Sequence, residues 1–97
     1  MPYANFRDAI RKIYTDAWLV PEGVTDDSAV ATASVTIARD GTVLNWRIIT
    51  PSGNALADQS VEAALRRVTR AVPLPDTEKE NQRTVKIAFS VKAKLLG

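Results

Sequence analysis

Residues 84–95, from Thr84 to Leu95, read TVKIAFSVKAKL, and this stretch decides the fold that we expect. Along it, apolar side chains alternate with polar or small ones. On an extended chain such alternation separates two faces. One face would carry Val85, Ile87, Phe89, Val91, Ala93 and Leu95, and the other Lys86, Ala88, Ser90, Lys92 and Lys94. The pattern predicts a long C-terminal strand with one buried face.

The lysines of this strand allow two interpretations. Lysine side chains commonly protect a sheet edge, because its unpaired N–H and C=O groups would otherwise recruit another strand. An edge can also be kept free so that a chosen partner adds its own chain there. No acidic residue lies between Thr84 and Leu95. The local positive charge therefore favours an acidic or dipolar partner.

Composition limits the chemistry that this chain can perform. The 97 residues suffice for one domain with a hydrophobic core. Cysteine and histidine are absent, which excludes thiol nucleophiles, imidazole acid–base chemistry and the usual zinc ligands. No apolar run is long enough to cross a bilayer, and residues 1–10 lack the pattern of a signal peptide. We expect a soluble protein with neither catalytic residues nor a metal or cofactor.

The rest of the chain supplies two helices and a hairpin. Apolar residues recur at helical spacing from Asn5 to Trp18, and Asn5 is suited to cap that helix. Asp40-Gly41 predicts a tight hairpin turn. The strands that flank this turn are expected at Val30 to Ala38 and at Thr42 to Thr50, with a bulge near Asn45. A second helix should run from about Leu56 to about Arg70.

This order of elements predicts an α+β fold in two layers. A hairpin followed by a helix and a third strand normally closes as a right-handed crossover. The last strand would then lie beside the first and parallel to the second, in a sheet of order 2-1-3. Both helices would cover one face, and Thr32, Ser34 and Thr36 would face solvent on the other. The last strand would form an open edge.

The sequence does not support the motifs of common enzymes. Asp26-Asp27 offers paired carboxylates, but in a polar loop they are expected to be solvated. The segment around Gly53 lacks the lysine ending of a phosphate-binding loop. Trp18 and Trp46 are more typical of a core than of a contact surface, whereas Tyr3 and Tyr14 could lie on the rim.

Nucleic-acid binding is the competing class of function. Small RNA-binding domains can share this mixture of helices and strands, and Arg66, Arg67 and Arg70 crowd one helix. The net charge is only +2, however, and neither a GxxG loop nor exposed strand aromatics are evident. We therefore expect no nucleic-acid partner.

Several segments carry a likeness to a known family: Trp18 with Pro21, IARDGTV (37–43), IITPSGN (48–54), DQSVEAAL (58–65), PLP (73–75) and IAF (87–89). In this order they resemble the C-terminal periplasmic domain of the TonB/TolA group of energy transducers. The likeness covers nearly the whole chain, and it departs from the usual pattern at Pro51-Ser52, where two serines are common.

The resemblance implies one domain, residues 1–97, at the end of a longer protein with an inner-membrane anchor. Its function would be to couple a proton-driven inner-membrane motor to outer-membrane transporters or periplasmic envelope proteins, by capturing a short extended peptide on the last strand. An envelope adaptor of the same fold without energy coupling is the alternative, and copies could also pair through the edge. The expected contact residues are Lys86, Ile87, Ala88, Phe89, Ser90, Val91 and Lys92, with Trp18 and Pro21 as a second site.

Overall fold

A computed structural model describes residues 5–25 and 28–96 of the chain. Its elements are three helices and three strands, and they fall in the predicted order except for an additional helix at the end. They are α1 (Phe6–Ala17), β1 (Val30–Ala38), β2 (Val43–Thr50), α2 (Ala55–Arg67), β3 (Gln82–Ser90) and α3 (Val91–Leu96). None of the described helices is long and apolar enough to span a membrane.

Helix α1 forms where the apolar spacing predicts it. The Asn5 side chain caps it by accepting a hydrogen bond from the Asp8 amide at 2.9 Å. The helix ends because Trp18 adopts an extended backbone conformation. Tyr14 is fully buried on the inner face, so the expectation that it lies on the rim was wrong. Tyr3 lies outside the described residues.

The hairpin turn follows from Asp40-Gly41, as predicted. Gly41 has a positive φ of 95°, and a Cβ there would lie 3.0 Å from the backbone carbon of Val72. The Asp40 carboxylate accepts a hydrogen bond from the Thr42 amide at 2.9 Å. Register shifts leave Leu44 and Ile49 without opposite residues on β1. The predicted bulge near Asn45 is therefore present, at Leu44.

The sheet has the order β2-β1-β3, as predicted. Strand β1 pairs antiparallel with both neighbours, so β2 and β3 run in the same direction. Helix α1 packs along β3. Arg83 lies over Phe6 at one end of this contact, and Phe89 packs against Trp18 at the other. Alanines on facing elements, Ala31 and Ala33 on β1 with Ala57 and Ala64 on α2, are fully buried. Their small side chains suit a close approach of α2 to the sheet.

The last strand is shorter than the sequence predicted. It ends at Ser90, and Val91–Leu96 form helix α3. Ser90 is paired with Val30, the first residue of β1, and beyond this pair the described ladder continues only through the Val91 amide, which donates to the Ala29 carbonyl at 3.1 Å. The Ser90 hydroxyl instead accepts a hydrogen bond from the Ala93 amide, and Lys94 Nζ donates to the Thr15 carbonyl on α1 at 2.6 Å. Leu95 is 63% exposed rather than part of the core.

The face of the sheet opposite the helices is only partly open to solvent. Thr32 and Ser34 are half-buried, whereas Thr36 is only 6% exposed. Its hydroxyl shares a 2.9 Å hydrogen bond with that of Thr84, opposite it on β3. The expectation that Thr36 faces solvent was therefore wrong, because its cross-strand neighbours cover it.

Candidate functional site

The outer edge of β3 is the candidate site, and its backbone geometry follows from two hydrogen bonds that continue the β1–β3 ladder. The Val91 amide donates to the Ala29 carbonyl at 3.1 Å, and the Arg39 amide donates to the Asn81 carbonyl at 2.9 Å. Backbone groups of an antiparallel strand point alternately to either side. The odd-numbered residues of β3 therefore direct their N–H and C=O groups toward β1.

The even-numbered residues of β3 consequently direct their N–H and C=O groups outward. Among them, Thr84, Lys86 and Ala88 lie well inside the strand and are exposed. Among the described residues, no other strand of the sheet lies beyond β3. These three residues thus form a short row of outward-facing donors and acceptors, which we call the β3 edge.

The predicted contact residues divide between this edge and the core. Lys86 and Ala88 are exposed and Ser90 is half-buried, all three on the side of the sheet away from the helices. The side chains of Ile87 and Phe89 are buried against the helices. Only the backbone of these two residues could border an added strand.

Val91 and Lys92 do not belong to the edge. Both lie in α3, so their prediction as strand residues was wrong. Val91 is buried, and its amide is already bonded to Ala29. The extended backbone that a partner could meet ends at Ser90.

Trp18, part of the predicted second site, lies in the core. It is only 1% exposed, packs edge-on against Phe89 with ring centroids 5.4 Å apart, and donates from its indole nitrogen to the Ser60 hydroxyl at 2.8 Å. Its ring offers no surface to a partner in this conformation. Pro21 is half-buried, and its carbonyl accepts a hydrogen bond from the Val24 amide at 3.0 Å.

A shallow hollow of about 220 Å³ lies beside the β3 edge, and sequence reasoning did not identify it. It is lined by Arg7, Arg83, Thr84, Val85 and Lys86. The Arg83 guanidinium stacks 5.7 Å from the centre of the Phe6 ring and lies 3.6 Å from the Glu78 carboxylate. Arg7 comes from α1, so only the packing of that helix along β3 brings it to the strand. The edge is therefore bordered by three cationic side chains.

Comparison with known proteins identifies the family. Residues 3–90 match the family model described as TonB C terminal. The chain belongs to the TonB C-terminal family. Its fold is similar to the solution structure of TolAIII bound to a peptide derived from the N-terminus of TolB, with a TM-score of 0.68 and 25% sequence identity. That likeness covers 87% of this chain and 70% of the TolAIII chain. No curated protein matches the sequence significantly.

The second outer strand of this TonB-family domain is less suited to receive a partner strand. Strand β2 carries both register shifts, which interrupt the regular spacing of its backbone groups. Arg66 of α2 also lies 5.9 Å from the centre of the Trp46 ring on β2. Between the two edges, β3 offers the more regular backbone to an added strand, since its pairing with β1 is unbroken from Gln82 to Ser90.

Contacts within the domain occupy the basic cluster at the end of α2, which ends at Arg67, so Arg70 lies beyond the helix that was expected to reach it. Arg66 pairs with Glu62, Arg67 donates to the Ala17 carbonyl at 2.6 Å, and Arg70 donates to the Asp40 carbonyl at 3.3 Å. These interactions favour a structural role over phosphate binding. The TonB-family assignment likewise favours a protein partner over a nucleic acid.

The pKa shifts of Asp40 and Tyr14 follow from their local structure. The hydrogen bond from the Thr42 amide lowers the pKa of the exposed Asp40 carboxyl, which fits a turn. Burial raises the pKa of Tyr14 to about 12. No group of acidic side chains among residues 5–25 and 28–96 is arranged to hold a metal ion. Asp26 and Asp27 lie outside the described residues.

Proposed function

We propose that this TonB-family domain is a non-enzymatic, protein-binding module of an energy transducer, and that it captures an extended peptide on the β3 edge. The observation that carries the proposal is the outward row of backbone groups at Thr84, Lys86 and Ala88. An added strand would exchange hydrogen bonds with this row while its side chains lie alternately over the two faces of the sheet.

The similarity to TolAIII supports a peptide partner. That domain was solved with a peptide of another protein bound to it, and its fold is shared by most of this chain. By analogy, the partner here would be a flexible segment of a periplasmic envelope protein or of an outer-membrane transporter. Flexible segments suit this mode because they can adopt the strand conformation on binding.

The energetics of the edge suit weak, reversible binding. Each backbone hydrogen bond contributes roughly 0.5–1.5 kcal/mol net, and the edge offers only a few. Ordering a flexible peptide offsets part of that gain. A strand lying alongside β3 would nevertheless load several hydrogen bonds together when pulled along its axis. Such a contact suits a device that transmits force from an inner-membrane motor.

We propose that the transducer extends beyond these 97 residues. We place the domain in the periplasm, joined through a linker to an inner-membrane anchor that contacts a proton-driven motor. A domain with the same fold that served only as an envelope adaptor would bind its partner equally well with the motor inactive. Cross-linking of the full-length protein to its partner in cells, with and without the proton gradient, distinguishes these two roles.

NMR titration tests the binding proposal directly. The ¹⁵N-labelled domain is titrated with an alternating Val/Thr peptide that carries one glutamate, and we expect the largest amide shifts at Thr84, Lys86 and Ala88. The control is the same peptide with a central proline, which removes an N–H and should bind more weakly. Shifts confined to Arg66, Arg67 and Arg70, or none at all, would refute capture on the β3 edge.

A second copy of the domain could compete with the peptide for the same edge. If two domains paired through β3, peptide binding would weaken as the protein concentration rises, because both processes use the same backbone groups. Sedimentation velocity over a range of concentrations, with and without peptide, separates the two. We expect the free domain to remain largely monomeric at the concentrations at which peptide binds.

A further inference from the structure

We propose that the hollow beside the β3 edge selects an acidic side chain at one defined position of the captured peptide, the position opposite Val85. This inference rests on the proposed function and adds to it the chemistry of the partner. It follows from the alternation of side chains on an added strand and from the charges that border the hollow.

The position opposite Val85 is distinguished by where its side chain would point. Directly opposite residues on neighbouring strands place their side chains on the same face of the sheet. The Val85 side chain is buried on the helix face. A partner residue opposite Val85 would therefore direct its side chain toward the helix layer, beside α1. This holds whether the peptide runs parallel or antiparallel to β3.

The hollow lies at that place and presents positive charge. Val85 contributes to its lining, while Arg7 of α1 and Arg83 of β3 border it on the helix side. Arg83 is held on that face by its stacking on Phe6. A glutamate there would lay its methylene groups beside Val85 and place its carboxylate near two guanidinium groups.

Among the described residues, the two guanidinium groups that border the hollow are at most weakly paired. Arg7 forms no hydrogen bond or ion pair with another residue in the described part of the chain. Its neighbour Asp8 is paired with Arg11 at 3.1 Å. Arg83 has only the longer contact of 3.6 Å with Glu78, between two partly exposed side chains. An incoming carboxylate would therefore find one guanidinium with no partner among residues 5–25 and 28–96, and one that is weakly paired.

Lys86 plays a different part from the two arginines. Because its residue number is even, its side chain lies on the face away from the helices, where it meets the partner residues on either side of the selected position. An acidic residue at those positions would stay exposed, and exposed pairs contribute little. The geometry therefore predicts a preference that depends on position, beyond general attraction to negative charge.

A positional scan tests this inference. An eight-residue Val/Thr host peptide carries a single glutamate at each position in turn, and each version is compared with its glutamine isostere. The register of each complex is read from NOEs between the peptide and Val85. We expect glutamate opposite Val85 to bind roughly three- to tenfold more tightly than glutamine, the range for one or two partly exposed ion pairs. Glutamate at neighbouring positions should differ from glutamine by less than about twofold.

Matched variants assign the effect to the arginines. Arg7→Gln should bring the glutamate-to-glutamine ratio close to one without harming the fold, because Arg7 is exposed and unpaired in the described structure. Arg83→Gln should reduce the ratio in the same way, with circular dichroism as a check because Arg83 also stacks on Phe6. Lys92→Gln is the control, because Lys92 is exposed on α3 and does not line the hollow, and it should leave the ratio at the selected position unchanged.

The outcomes separate this inference from the proposed function. If peptides shift the β3 amides but glutamate and glutamine bind equally opposite Val85, the selective hollow is refuted and capture on the edge survives. The selective hollow is also refuted if the preference for glutamate over glutamine is undiminished in both Arg7→Gln and Arg83→Gln. If no peptide shifts the β3 amides, the proposed function fails, and the inference fails with it.

Discussion

The indole nitrogen of Trp18 donates a hydrogen bond to the Ser60 hydroxyl at 2.8 Å and so joins the end of α1 to the middle of α2. The same ring packs edge-on against Phe89 of β3. Trp18 is thus shared by two helices and the strand that forms the candidate site. Its position explains why a tryptophan at the end of an amphipathic helix belongs to the core here.

Removing the hydroxyl of Ser60 should destabilise the domain through this bond. Ser60→Ala leaves a buried indole N–H without its partner, which costs about 1–3 kcal/mol in the free energy of unfolding. Urea denaturation measures the change. The same substitution made in a Trp18→Phe background should cost much less, since no N–H remains to be satisfied. Equal costs in the two backgrounds would show that the bond does not stabilise the fold.

The burial of Tyr14 should make the free energy of unfolding depend on pH in the alkaline range. Its pKa is raised to about 12 by burial. A tyrosine in the unfolded chain ionises near about pH 10, so the unfolded state loses its proton first as the pH rises. Ionisation of Tyr14 therefore leaves the free energy of unfolding unchanged below about pH 10. Between about pH 10 and 12 it lowers that free energy by roughly 2–3 kcal/mol.

Tyr14→Phe is the matched variant for this effect. The Tyr14 hydroxyl is buried and has no hydrogen-bond partner among the described residues. Its removal should leave stability at neutral pH unchanged or raise it by about 1 kcal/mol. The decrease between about pH 10 and 12 should also become smaller. Strong destabilisation of the variant at neutral pH would show that the Tyr14 hydroxyl is hydrogen-bonded in the folded domain.

The two glycines with positive φ should differ in their tolerance of alanine. Gly53 has a φ of 88° and nothing within 4 Å of an added Cβ, so Gly53→Ala should cost about 1 kcal/mol from backbone strain alone. Gly41→Ala adds a steric clash, because its Cβ would lie 3.0 Å from the Val72 backbone. In thermal denaturation, Gly41→Ala should therefore have a lower melting temperature than Gly53→Ala. The reverse order would contradict the packing of residues 72–73 against the hairpin turn.

A proline at Ala88 should prevent peptide capture while preserving the sheet. Ala88 directs its N–H outward, so Ala88→Pro removes no hydrogen bond to β1, and an edge strand tolerates proline at such a position. We expect peptide binding to weaken at least about tenfold, since a donor is lost and the ring obstructs the edge. Ala88→Val is the control, because it adds bulk but keeps the N–H. Equal binding by both variants would exclude the β3 edge as the site.

Local sequence patterns predicted most of the fold. Alternation from Thr84 to Ser90, the Asp40-Gly41 turn and the helical spacing after Asn5 each act over a few residues, and their order then selects the sheet topology. The helix at the C-terminus was missed because Val91, Ala93 and Leu95 continue the alternation. What ends the strand is the start of β1 at Val30, and no local pattern records it.

The candidate site was predicted only in part, for a similar reason. Lys86 and Ala88 belong to one strand, so alternation alone places them on its exposed face. The burial of Trp18 depends on Ser60 and Phe89, which are distant in sequence. The hollow depends on Arg7 lying beside Arg83, a contact between the first helix and the last strand. Its only sequence signal was a basic residue next to the apolar stripe of α1.

Amide hydrogen exchange along β3 tests the central claim most directly. In the free domain at low concentration, the outward amides of Thr84, Lys86 and Ala88 should exchange fast, whereas those of Val85, Ile87 and Phe89 should be protected by their bonds to β1. Addition of the peptide should slow the outward amides and leave the inward ones unchanged. If the outward amides are already protected in the free monomer, the β3 edge is occupied and cannot receive a partner strand.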